Sequence, residues 1–126
     1  MNLEELNKLS GIILDSSIEV HRNLGPGLLE SVYEVCLCKE LSSRGVKFQR
    51  QVSLPVTYKG ELLDADFRID VLVNDKIIVE LKAVELLLPV HKAQLLTYLK
   101  LANKKLGLLI NFNVPRLIDG FVRMIN

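Results

Sequence analysis

Apolar and polar positions follow two periods along this chain, and the change from one to the other divides it into elements. Over residues 3–22, Leu3, Leu6, Leu9, Ile13 and Val20 recur at helical spacing with polar residues between them, which predicts an amphipathic helix. It ends near Asn23, because Gly25, Pro26 and Gly27 cannot continue a helix and form a sharp corner. A second helix is predicted over residues 28–44, with Leu29, Val32, Val35 or Cys36, and Leu41 on its buried side and Gly45 as its stop. From residue 46 the period falls to two. Residues 46–54, 56–58, 62–73 and 76–84 read as strands, with turns at Lys59-Gly60 and near Asn74-Asp75. Pro89 suits the first turn of a third helix, 89–102, with Val90, Leu95 or Leu96, and Leu99 facing inward.

Residues 106–112 form a nearly continuous apolar run, the pattern of a strand buried on both faces. Residues 117–125 are read as a strand, although their pattern also allows a helix. The order is helix, helix, a run of strands, helix, strand, without repeats or linkers. It predicts one α/β domain over residues 1–126, a mixed central sheet flanked by helices.

Composition narrows the function classes. With 49% apolar and 25% charged residues the chain can build a sizeable core. No apolar run approaches the roughly 18–20 residues of a membrane span, and residues 1–8 lack the basic stretch of a signal peptide, so a cytoplasmic protein is expected. Cys36 and Cys38 diverge on a helix and cannot bridge, and two cysteines do not make a cysteine-rich zinc site. A net charge of +1 excludes binding to nucleic acid through bulk electrostatics, so any such contact is local. Arg44, Lys47 and Arg50, and Lys104 with Lys105, are basic clusters able to track a phosphate backbone, which surface solubility explains equally well. The aromatics are scattered and make no base-stacking platform. The apolar content of so short a chain predicts an interface, with a second copy or a partner protein.

The candidate chemistry lies on two neighbouring strands. Along residues 66–73, Asp66, Arg68 and Asp70 alternate with Phe67, Ile69, Val71 and Val73. Along residues 76–84, Ile78, Glu80 and Lys82 share one side against Ile77, Val79, Leu81 and Ala83. A three-residue connection, Asn74 to Lys76, places Asp70 directly opposite Glu80, whereas a two-residue Asn-Asp turn places Asp70 on the other face. Opposed carboxylates repel unless a cation lies between them, either Lys82 or a hard divalent ion such as Mg²⁺ or Mn²⁺. Two carboxylates and a lysine are what metal-dependent phosphodiester hydrolysis requires, with the Leu81 carbonyl as an assisting ligand. The plain alternative is a solvated strand face with an ordinary Lys–Glu pair. On the third helix Gln94 and Tyr98 are four apart and share a face, and His91 lies one turn before Gln94. His21 precedes the glycine corner, as a contact to the site or as a packing group.

The segment Gly27-Leu28-Leu29-Glu30-Ser31-Val32-Tyr33 resembles the naming motif of the GxxExxY family, a member of the PD-(D/E)xK nuclease-like superfamily, and the resemblance covers nearly the whole chain. It implies a restriction-endonuclease-like core, with Asp70 as the first acidic ligand and Glu80 and Lys82 as the E-x-K element. Gln94 and Tyr98 look like the Q-x-x-x-Y motif of the RecB-like exonuclease branch, and Glu30 like the helical glutamate that supports the metal site. Ile69 departs from the proline of the superfamily's name. The resemblance implies a Mg²⁺- or Mn²⁺-dependent nuclease acting on DNA or RNA, or a relative that binds nucleic acid or a partner protein without cutting.

Overall fold

The computed structural model describes residues 2–126. Helix α1 (Leu3–Leu24) opens where the Asn2 side chain accepts a hydrogen bond from the Glu5 amide at 2.9 Å. It buries Leu6, Leu9, Ile13 and Val20 and ends at Gly25, whose φ of 70° only a glycine takes without strain. Helix α2 (Glu30–Ser43) follows the corner. The Tyr33 hydroxyl braces that corner, donating to the Gly25 carbonyl at 2.6 Å and accepting from the Leu28 amide at 3.1 Å. The Tyr33 ring stacks on Phe112 with centroids 4.5 Å apart.

Stacking on Phe112 also fixes which side of α2 is buried. Tyr33, Glu34, Leu37, Cys38 and Leu41 face the core, whereas Leu29 and Val32, expected inside, are exposed, and of the alternatives Val35 and Cys36 it is Cys36 that packs partly buried against the core. The helix is apolar on several sides, so its periodicity did not single out the inner one. Val90, likewise expected inside, is exposed.

Five strands form one sheet in the order β1-β2-β3-β4-β5: β1 (Phe48–Tyr58), β2 (Glu61–Val73), β3 (Ile77–Lys82), β4 (Leu106–Asn111) and β5 (Phe121–Ile125). The β3–β4 pair is parallel and the others are antiparallel. Helix α3 (Pro89–Ala102) makes the parallel crossover, with Pro89 in its first turn and Asn103 left-handed at its end. Strand β1 runs on through Pro55, which an edge strand tolerates. The segment 117–125 is divided: a 3-10 turn, Leu117–Gly120, precedes β5.

Two apolar layers enclose the sheet. Helices α1 and α2 cover Val71, Val73, Ile77, Val79, Leu108 and Ile110, and α3 covers Leu72, Ile78 and Leu109 through Leu95, Tyr98 and Leu99. Strands β3 and β4, each with apolar residues packed on both faces, are the centre of the fold.

Candidate metal centre

The β2–β3 connection sets the site. Val73 pairs with Ile77, leaving Asn74 to Lys76 as a three-residue turn in which Asn74 and Asp75 take φ of 50° and 55°. Asparagine and aspartate tolerate that region better than most side chains. The register continues through Leu72 with Ile78 and Val71 with Val79, and one step further brings Asp70 level with Glu80. At that step the ladder gives way to side chains. The Asp70 carboxylate accepts from the Leu81 amide at 2.9 Å, and the Glu80 carboxylate accepts from the Asp70 amide at 3.3 Å. Each acid thus occupies the other strand's main chain where the two strands part.

This pairing fixes the main-chain oxygens too. The Lys82 carbonyl accepts from the Phe112 amide at 2.9 Å, so Lys82 faces β4. Leu81, one residue earlier, faces β2, as its hydrogen bond to Asp70 requires, and its carbonyl lies along that same edge. Two carboxylates and one carbonyl are hard oxygen donors, a set suited to Mg²⁺ or Mn²⁺.

The electrostatics point the same way. Glu80 is 6% exposed. Its burial, reinforced by the neighbouring Asp70 carboxylate, pushes its pKa from 4.5 up to about 10, while the Lys82 ammonium opposes the rise. Without a cation between the acids, Glu80 holds a proton. Among the described residues no three His, Cys, Asp or Glu side chains converge as a metal cage, so an ion here depends on the pair, the main chain and water.

Tyr98 of α3 comes against this pair. Its phenol is held above the ordinary range first by burial and then by the charges of Glu80 and Asp70, and its ring meets Phe67 at 5.4 Å. Beside it lies an open groove of about 560 Å³ lined by Phe67, Val90, His91, Gln94, Thr97 and Tyr98. A larger hollow, about 750 Å³, lies at the start of β1 around Lys47, Gln49 and Asp75 and lacks the opposed acids. Neither hollow is lined by Asp70 or Glu80, and the groove over α3 is tied to them through Tyr98.

The family model described as PD-(D/E)XK nuclease superfamily matches residues 7–124. The chain belongs to this superfamily. Nothing matches it among curated proteins or among solved structures. PD-(D/E)XK nucleases generally use divalent metals, and the oxygen donors and raised Glu80 of this chain suit such an ion.

The remaining candidates separate by place. Gln94 is exposed on α3 and lines the groove. His91 also lines it, and its Nδ1 accepts from the Leu88 amide at 3.0 Å, capping α3. The Nε2 of His21 lies 2.8 Å from the Val114 carbonyl, joining α1 to the loop after β4. Arg68 lies in solvent, 3.9 Å from Asp66. Gly27, with φ of 95°, and Tyr33 build the corner ahead of α2. Glu30 is exposed in the first turn of α2 and does not join Asp70 and Glu80 in a cluster.

Three residues of structural weight escaped the sequence reading. Asn111, 2% exposed, exchanges hydrogen bonds with Val84 at 3.1 and 2.9 Å and accepts from the Asn113 amide, fixing the chain just past Lys82. Its signal was a lone amide at the end of an apolar strand. Glu34 is buried one turn after Glu30 and binds Arg50 and Gln51. Gln51 takes a φ of 51° directly across from Asp70. Strict alternation also fails there: Phe67 and Ile69 pack with α3, whereas Val71 and Val73 pack with α1 and α2.

Proposed function

We propose that this chain is a Mg²⁺- or Mn²⁺-dependent nuclease that hydrolyses phosphodiester bonds in nucleic acid, of the GxxExxY type within its superfamily. The observation that carries the reading is the opposition of Asp70 and Glu80 where β2 and β3 part, with Glu80 buried and so in need of a proton or a cation. Asp70, Glu80 and the Leu81 carbonyl would hold the ion, which supplies Lewis-acid activation of the phosphodiester. Lys82 orients or deprotonates the attacking water and offsets developing charge. Gln94 and Tyr98, at the rim of the groove, orient the substrate phosphate or the lysine, and Glu30 supports the site through water. Arg68, His21 and His91 are outer support. The protein acts in the cytoplasm as one domain, as a homodimer or with a partner protein.

A second reading is a nuclease-like module that binds nucleic acid or a partner without cutting. The absence of a third acidic side chain beside the pair, among the described residues, favours it. Hydrolysis of single- and double-stranded DNA and RNA with Mn²⁺, compared between wild type and Lys82→Ala, tests the choice. Cleavage by wild type that is lost in Lys82→Ala supports the nuclease. Cleavage at the same rate in both removes the role given to Lys82, and metal binding without cleavage of any substrate favours the silent module.

A further inference from the structure

In a regular strand Arg50 and Gln51, being neighbours, point to opposite faces. Here both donate to one carboxylate, that of Glu34 on α2. Arg50 gives its Nε at 3.0 Å and its Nη2 at 2.8 Å to Oε2, and Gln51 gives its Nε2 at 2.8 Å to Oε1. Gln51 reaches Glu34 by taking φ of 51°, a region that L side chains other than asparagine and aspartate seldom occupy. Such a conformation persists where surrounding contacts over-determine it.

The distortion coincides with Asp70. Arg50 pairs with Val71 and Val52 with Ile69, and the position between them, Gln51 across from Asp70, makes no ladder pair. On one side of that level Phe48, Val71 and Val73 pack toward α1 and α2. On the other side Val52, Leu54, Phe67 and Ile69 pack toward α3. Both strands thus change face at the same level without gaining or losing a residue. Asp70 lies at that turnover, and its carboxylate reaches the Leu81 amide.

The geometry points to Glu34 as a positioning residue for the metal pair: by clamping Gln51 in its left-handed conformation, it sets the twist of the β1–β2 hairpin that aims Asp70 at Glu80 and Leu81. This inference rests on the reading of Asp70 and Glu80 as metal ligands for its effect on affinity, and on hydrogen bonding alone for its effect on geometry. Glu34 acts through Gln51 and the main chain and touches no substrate.

The test pairs a clamp deletion with a glycine that needs no clamp. Mn²⁺ affinity by calorimetry and the backbone amide resonances of Asp70 and Leu81 are measured for wild type, Glu34→Ala, Glu34→Gln, Gln51→Gly and the double variant Glu34→Ala with Gln51→Gly. Glu34→Ala should weaken Mn²⁺ about tenfold or more, the scale for residues that orient metal ligands. It should also shift the Asp70 and Leu81 amides while those in the middle of β4 stay in place. Glu34→Gln, which keeps an acceptor for Gln51, should lose less. The double variant should return to within about threefold of wild type, because glycine adopts the left-handed conformation unaided.

Wild-type affinity and unshifted amides in Glu34→Ala would overturn the inference and leave the metal reading intact. So would a double variant that stays as impaired as Glu34→Ala, or shifts spread through β4. If wild type takes up no Mn²⁺, the metal reading falls, and the amide shifts and their reversal decide the positioning claim alone. If Glu34→Ala does not fold, Glu34→Gln with and without Gln51→Gly decides it by the same comparison.

Discussion

Glu80 carries the largest electrostatic consequence of any single side chain described. Because the folded chain keeps its proton up to about pH 10 and the unfolded chain releases it near 4.5, this group stabilises the metal-free protein fully at low pH. That contribution is lost as the pH rises through this window. A divalent ion must displace the same proton, so the gain in melting temperature on adding Mn²⁺ should grow between about pH 6 and about pH 8. Scanning calorimetry at matched ionic strength measures it, and a gain independent of pH contradicts the assignment. Lys82 behaves differently from the acids. Lys82→Ala removes a cation beside the pair, so Mn²⁺ should bind as well or more tightly while any hydrolysis slows by about 10². Tyr33→Phe should cost about 1–2 kcal/mol in urea unfolding, through the two lost hydrogen bonds at the glycine corner, and leave Mn²⁺ affinity unchanged.

At the scale of elements, the hairpin that places the acids was legible because its apolar positions alternate up to a turn rich in residues that accept positive φ. Its change of face was not, since Phe67, Ile69, Val71 and Val73 are all apolar and alternate perfectly, yet two pack on each side of the sheet. A contact distant in sequence, Glu34 with Gln51, makes the difference. Glu30 and Glu34 illustrate the same limit: four apart, they share a helix face, yet Glu30 is exposed in the first turn of α2 while Glu34, one turn further in, is buried against Arg50 and Gln51. Where residues 117–125 divide, Gly120 packs on the main chain of β4, and a Cβ there would lie 2.1 Å from the Asn111 carbonyl oxygen. Gly120→Ala should therefore destabilise the protein by about 2 kcal/mol or more, read as a lower urea midpoint. It should also disturb the Asn111 contacts with Val84 that fix the chain after Lys82.

Across the whole molecule, Leu28 and Leu29 ahead of α2 and Val32 and Val35 within it leave an exposed apolar side, and the homodimer proposed above would use it. A dimer by light scattering that Val35→Lys converts to monomer fits that proposal, and a monodisperse wild-type monomer opposes it. No helix among the described residues is long and apolar enough to cross a membrane. The fold and the superfamily are established by the sheet topology and by the match over residues 7–124. What most needs measurement is whether the opposed acids hold an ion. Calorimetric titration of Mn²⁺ into wild type, Asp70→Ala and Glu80→Gln answers it directly, with folding matched by circular dichroism. One saturable site in wild type and at least about a tenfold loss in each variant are expected; no uptake by wild type, or equal affinity in all three, contradicts the assignment of Asp70 and Glu80 as ligands.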